Sequence, residues 1–244
     1  MATKQWAIDN ATTMYQHSIR AAGDGFRAGG QPSDLLKRAS DNRKLGGRGR
    51  AGVNHTTFRA GGRAFRGRPL YTLQLPERET CPTSCGHWET CYGNRMPYAV
   101  RWMPGRALED GLRAELRALA ARHPGGFVVR LHVLGDFYST AYVELWHDML
   151  AELPGLAVYG YTHRTPDDPI GMAVDDMRAA YPDRVSILQS DWVGHDLPAA
   201  VDVSDTTAIP CPQQTGRASS CLDCGLCTMA GTMGSKLRVG FKVH

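Results

Sequence analysis

The chain has 244 residues, 42% of them hydrophobic and 8% aromatic, which suits one large domain or two small ones with a packed interior and excludes a disordered protein. No run of about 18 apolar residues occurs, so no membrane span is expected. The net charge is only +4, and the N-terminal MATKQWAIDN lacks a basic stretch followed by an apolar one, so no secretory signal is expected and the protein is assigned to a reducing cytoplasm.

Three regions follow in chain order: 1–69, 70–210 and 211–244. The first begins with a predicted helix around Trp6 to Arg20 and continues into a glycine- and arginine-rich arm. Residues 37–68 hold ten Lys and Arg against one acid, Asp41, a local charge of +9 that leaves the rest of the chain at −5. Such an arm, with Phe58 and Phe65 interleaved, suits nucleic acid, the guanidinium groups following phosphates and the rings stacking on bases; the alternative is a solubilising arm packed over the domain.

After Pro69, LYTLQL alternates as a strand, and the loop PERETCPTSC follows at once. Leu108, Leu112, Leu116 and Leu119 recur at helical spacing in residues 106–122. FVVRLHVLGDF is a strand ending at Gly135 and Asp136. Ser139 is the predicted N-cap of the helix in STAYVELWHDMLAEL. LAVYGYTHR is a strand, Pro169 to Ala180 a helix, RVSILQSDW a strand, and TTAIPC a last strand delivering Cys211. Strands alternating with helices indicate βα units and a parallel sheet, with ligands beyond the carboxyl ends of the strands. The Cys81–Cys91 loop, Gly135-Asp136, Thr162-His163-Arg164, Ser190-Asp191 and Cys211 would then share one rim.

The seven cysteines are Cys81, Cys85, Cys91, Cys211, Cys221, Cys224 and Cys227. An odd number of clustered thiols in a reducing compartment points to metal or redox work rather than disulfides. In CPQQTGRASSCLDCGLC the C-x2-C-x2-C run, with a Cys-Pro upstream, is the ferredoxin-like spacing that places cysteines on different irons of a [4Fe-4S] cluster. Zinc is the alternative metal. CPTSCGHWETC offers three thiolates, which leave one iron of a cluster open, or a Cys3His zinc site completed by His87. Spacing also admits a partition in which Cys211 joins the first set.

A strand running into a cysteine-rich loop with C-x3-C at its start, then a βα series whose next strand ends in GDF, resembles the radical S-adenosylmethionine superfamily. The resemblance implies an incomplete parallel βα barrel, a [4Fe-4S] cluster on Cys81, Cys85 and Cys91, and S-adenosylmethionine contacted by Gly135 and Asp136. The spacing before the third cysteine is x5 where that superfamily has x2, and only a GD pair stands where it has a GGE-type segment. Over most of residues 68–244 the chain is also similar to cysteine-rich proteins of bacteriophages and prophages, on YTLQLPERETCPTSCGHWETCYGNRM, LHVLGDFYSTAYVELW, YGYTHR and CPQQTGRASSCLDCGLC. That similarity implies a phage context, hence a host-cell cytoplasm, and an iron–sulfur expectation.

Single polar residues carry paired expectations. Asp136 either binds a ligand ammonium or caps the helix that follows. His163 and Arg164 either hold a carboxylate or phosphate or form a surface ion pair. Arg130 and His132 alternate on one strand and either face the interior or, for His132, form a structural hydrogen bond. His195 is a ligand or has no role. Trp88, Tyr92 and Trp192 shield a cluster or fill the core. The function classes are an iron–sulfur enzyme served by a host reductant such as flavodoxin or ferredoxin, a non-catalytic redox or nucleic-acid-binding iron–sulfur protein, and a zinc-stabilised binding module.

Overall fold

The computed structural model describes residues 19–20, 35–38, 57–96, 99–194 and 196–242. In chain order its elements are β1 (Ile19–Arg20), β2 (Lys37–Arg38), β3 (Leu70–Gln74), α1 (Glu77–Thr80), β4 (Arg101–Trp102), α2 (Arg106–Arg122), β5 (Phe127–Leu134), α3 (Thr140–Glu152), β6 (Leu156–Thr162), α4 (Pro169–Ala180), β7 (Val185–Ser190), β8 (Ala199–Asp202), β9 (Ile209–Pro210), α5 (Cys221–Cys224), α6 (Cys227–Ala230) and β10 (Arg238–Phe241).

An eight-stranded sheet runs in the order β2-β3-β5-β6-β7-β8-β10-β9. All its neighbours pair in parallel except β2, which is antiparallel to β3. The mixed α/β class and the mostly parallel sheet agree with the sequence reading. The sheet is open, with β2 and β9 as its edges, and no strand pair closes it into a barrel among the described residues. The strand delivering Cys211 is the two-residue β9, which lies outside β10 and not next to β7. Strands β8 and β10 fill that gap. Of the predicted N-terminal helix only Ile19–Arg20 is described, as a strand paired with β4; the remainder, and residues 39–56 of the basic arm, lie outside the described residues.

Sequential order among parallel strands means successive right-handed crossovers, which carry every helix to the same face. Leu108, Leu112, Leu116 and Leu119 of α2, Tyr142 and Trp146 of α3, and Val174 and Met177 of α4 accordingly share one core with Leu73, Val129, Leu131, Val158 and Ile187 of the sheet. Each fully buried leucine there contributes about 1.5–3 kcal/mol of transfer free energy. The helix starts are fixed by Ser139, whose Oγ accepts from Tyr142 N, and by Asp168, which accepts from Ile170 N ahead of Pro169. Among the described residues no helix is long and apolar enough to cross a membrane.

The other face of the sheet carries no long helix. Leu70, Val128, Val133, Ala157 and Tyr159 are covered by Phe58, Phe65 and Leu222, and Leu188, Ala200 and Val239 by Cys211 and Ala230. Phe58 and Phe65 are buried and meet Tyr159 edge-on at 5.8 and 6.5 Å. Base stacking by these two rings is therefore corrected to core packing; Arg59 and Arg63 between them, and Arg66 just after, remain exposed.

Candidate metal centre

A cavity of about 590 Å³ opens where the carboxyl ends of the strands meet this second face, and all seven cysteines line it. All are free thiols. The expectation of one shared rim is met for the Cys81–Cys91 loop, Gly135, Asp136, His163, Ser190, Asp191 and Cys211.

The first group is built on a short, stapled loop. Helix α1 hands over to Cys81, whose N–H donates to Glu77 O at 3.1 Å; Cys85 N donates to Pro82 O, and Asn94 N to Cys91 O in the 3-10 turn Tyr92–Arg95. Arg101, with no exposed surface, donates Nε and Nη2 to the Glu77 carboxylate at 2.8 and 3.0 Å and reaches Met96 O, Ala99 O and Gly93 O. A Cβ on Gly93 would lie 2.9 Å from Glu77 Cδ, so only glycine leaves room for this pair. Arg78 lies over the Trp88 ring at 4.9 Å and bonds Trp88 O and Asn94 Oδ1, holding the outer side of the loop.

The second group is held from two directions. Cys211 N donates to Gly240 O, which ties β9 to β10. In α5, Ser220 Oγ caps Asp223 N, and the helix stops at Gly225 in the left-handed region (φ 63°). A Cβ on Gly225 would strike the Ala60 carbonyl. The 58–62 backbone lies there: Arg59 N donates to Leu222 O, and Gly62 N to Thr228 Oγ1 at 3.0 Å. Residues 57–66 thus act as a clamp on the cysteine segment.

Electrostatic neighbours separate the thiols into two sets. Cys81 feels Asp136, Cys85 and Cys91, whereas Cys227 feels Cys221, Cys211 and Cys224. Cys211 falls with the C-terminal three. Burial is the main cause that pushes Cys81, Cys85, Cys91 and Cys224 above the ordinary thiol range and Cys227 up to about 12. These thiols therefore hold their protons at neutral pH. The hydroxyl of Tyr161 donates to Cys227 Sγ at 3.1 Å.

Asp136 is buried at the end of β5. Its Oδ1 accepts from Phe137 N (2.7 Å) and Thr162 Oγ1 (2.9 Å), and its Oδ2 from His163 N (2.7 Å). Burial raises its pKa to about 6, against these hydrogen bonds and Arg164. Ser139 performs the helix capping, so that reading of Asp136 is overturned. Gly135 precedes it at φ 83°, where a Cβ would come within 2.6 Å of Thr80 Oγ1.

At the mouth, His87 Nε2 bonds Asp191 Oδ2 and His87 Nδ1 meets Thr90 Oγ1, so both ring nitrogens are engaged within the protein. His163 Nδ1 stands 3.9 Å from the same Asp191 oxygen, and burial lowers its pKa. Arg164 is outside the cavity wall; it donates to Phe137 O and Thr80 O and ties three strand-end loops together. Two residues of β3 step against four of β5 between Thr72↔Arg130 and Gln74↔Leu134, and this irregularity breaks the alternation of Arg130 and His132. His132 bonds the Tyr142 hydroxyl at 3.0 Å and packs on Phe137, and burial lowers its pKa to about 3. Arg130 lines the cavity with Tyr92, Tyr159 and Tyr161, and His132 also reaches its wall. Burial opposes its charge, but Tyr159, Tyr92, Tyr161 and Cys221 hold its pKa above the ordinary value. The YGY alternation of β6 is the sequence signal that marks Tyr159 and Tyr161 as one face. Trp88 and Trp192 do not line the cavity, and His195 lies outside the described residues.

No curated protein and no solved structure matches the chain. A family model described as Gene product 88 matches residues 35–230, a span that includes all seven cysteines, and the chain belongs to this phage gene-product family.

Proposed function

We propose that the chain is an iron–sulfur protein with two [4Fe-4S] clusters in one cavity, and that the cluster on Cys81, Cys85 and Cys91 has an open iron that serves S-adenosylmethionine in radical-type chemistry. The observation that carries the reading is the convergence of all seven free thiols on one cavity. The donor set suits the group: three thiols in one neighbourhood leave a fourth iron for a small molecule, and Cys211, Cys221, Cys224 and Cys227 complete a second set. A zinc ion at about 2.3 Å from each sulfur draws its thiolates to about 3.8 Å of one another. Among the described residues no group of three or more Cys, His, Asp or Glu side chains is placed to hold a single ion, and zinc stays as the alternative metal that the test below distinguishes.

When bound, the open-iron cluster supplies a coordination position and an electron to S-adenosylmethionine. The protein supplies the surroundings. Asp136 has three hydrogen bonds on its two oxygens, which leaves acceptor capacity at the cavity wall for a ligand ammonium. Gly135 lets the backbone turn there without a side chain. Tyr92, Val133 and Leu134 keep the wall largely apolar and exclude water. The open sheet, with helices on one face and cysteine loops on the other, is read as part of an incomplete βα barrel.

The test is iron, sulfide and zinc content of protein purified without oxygen, with electron paramagnetic resonance before and after dithionite and with S-adenosylmethionine. About eight irons and eight sulfides, with a signal perturbed by S-adenosylmethionine, is the expected result. A signal indifferent to it moves the protein to the non-catalytic redox class. Zinc without sulfide overturns the reading.

A further inference from the structure

The two cysteine sets stand in different electrostatic surroundings. Cys81 and Cys85 feel the carboxylate of Asp136, and Cys85 that of Asp191 as well, while Arg78 acts in the opposite sense on Cys85 and Cys91. The C-terminal set faces a cation. Arg130, on the strand between the sets, interacts with Cys221 and lies over the Tyr161 ring at 5.5 Å, while Tyr161 donates to Cys227 Sγ. No carboxylate pairs with Arg130 among the described residues, and its buried Nε and the buried Tyr159 hydroxyl have no hydrogen-bond partner. A half-buried guanidinium whose Nε is buried and unbonded, lining a cavity, is suited to an anion.

Resting on the iron–sulfur reading, we propose that Arg130 is the counter-charge of an anionic cluster on Cys211, Cys221, Cys224 and Cys227, that Tyr159 and Tyr161 supply neutral hydroxyl donors beside it, and that the three make this cluster easier to reduce than the one on Cys81, Cys85 and Cys91. One-electron reduction adds one negative charge to a cluster. A neighbouring cation and a hydrogen bond to a ligand sulfur favour that charge, and neighbouring carboxylates oppose it. At equilibrium an electron therefore rests on the C-terminal cluster, which acts as the store and the Cys81 group as the high-energy site. These three residues are positioning residues.

The experiment is a dithionite redox titration, followed by electron paramagnetic resonance, of the full chain purified without oxygen, with dithionite oxidised and each cluster reduced by one electron. Iron and sulfide are counted in wild type, Tyr161→Phe, Arg130→Gln and Arg130→Lys. Wild type is expected to show two midpoints, the higher belonging to the signal indifferent to S-adenosylmethionine. In Tyr161→Phe and Arg130→Gln that equilibrium shifts on the order of tenfold toward the oxidised cluster, about 59 mV for one electron. The lower midpoint stays put, and Arg130→Lys behaves as wild type. Retained iron with unmoved midpoints, or movement of the lower one alone, overturns the proposal and leaves the iron–sulfur reading standing. Loss of iron in both Tyr161→Phe and Arg130→Gln makes these residues binding groups and also overturns it. Wild type without iron and sulfide refutes the underlying reading.

Discussion

Replacing Glu77 by Gln tests how the first cysteine loop is held. The carboxylate and the Arg101 guanidinium are 5% and 0% exposed, and five hydrogen bonds run from the guanidinium to Glu77 and to the Met96, Ala99 and Gly93 carbonyls. Removing one partner of a buried pair leaves the other charge without compensation, which costs about 3–5 kcal/mol. Against a typical total of about 5–15 kcal/mol this is a large fraction. The cost falls on the staple between α1 and the 3-10 turn, so the Cys81–Cys91 loop loosens before the helix-side core does. The assay is urea unfolding under reducing conditions, read together with iron content. Glu77→Gln should lower stability by roughly 3–5 kcal/mol and deplete the iron assigned to the first set. The double change Glu77→Met with Arg101→Met should recover part of the loss, because two apolar groups leave no stranded charge. It should not recover all of it, because three loop carbonyls lose hydrogen bonds of about 0.5–1.5 kcal/mol each. A Glu77→Gln cost below about 1 kcal/mol, within the range of an exposed pair, refutes the reasoning.

Three further outcomes are expected. Gly135→Ala forces a Cβ toward Thr80 Oγ1 and Leu75 at φ 83°, so it should destabilise by about 1–3 kcal/mol, checked by thermal unfolding; a neutral result means the turn relaxes freely. Asp136 has its pKa raised from 3.8 to about 6, so the folded chain binds the extra proton between those values and stability falls as pH rises from about 4 to about 6. The full penalty of about 3 kcal/mol is present above that window, and Asp136→Asn should remove the slope; a wild-type minus variant difference that does not change with pH over this range counts against it. Phe65→Ala, at a site with no exposed surface, should cost about 3–5 kcal/mol in urea unfolding while leaving any salt-sensitive nucleic-acid binding by the arm's arginines in place, and loss of binding at preserved stability would restore the stacking role.

The helix-side half of the molecule was legible because its signals are local. The leucines of residues 106–122 and the Ser139 cap each lie within one element, and both stand where the spacing puts them. The strands β8 and β10 were not legible, since four residues such as Ala199–Asp202 offer too little alternation to separate from a loop. His132 shows a different limit: its orientation depends on a register irregularity against β3, which alternation along β5 alone does not encode. Phe58 and Phe65 were obscured by composition, because a basic glycine-rich stretch reads the same whether its aromatics are exposed or seated on Tyr159. The gathering of the cysteines at the strand ends was legible from the order of elements, but the placement of Cys211 was not, since it depends on β9 pairing with β10 rather than with β7.

The clamp explains why the cysteine-rich end of the chain needs the basic arm. Helices α5 and α6 are four residues each, too short to be stable alone, and bring only Leu222 and Ala230 as fully buried apolar side chains. Their position is fixed instead by Arg59 N on Leu222 O, by Thr228 against Gly62, and by the Ser186 hydroxyl donating to Cys227 O from within β7. Phe58 and Phe65 anchor the arm in turn on Tyr159 and Leu70. Cysteine placement therefore depends on long-range contacts, from 41 positions for Ser186 and Cys227 to 166 for Gly62 and Thr228, which form only once the sheet has formed. On the iron–sulfur reading proposed above, a centre assembled this late would couple cluster binding to the last step of folding, and the second set would close around its ligand only once the arm has docked.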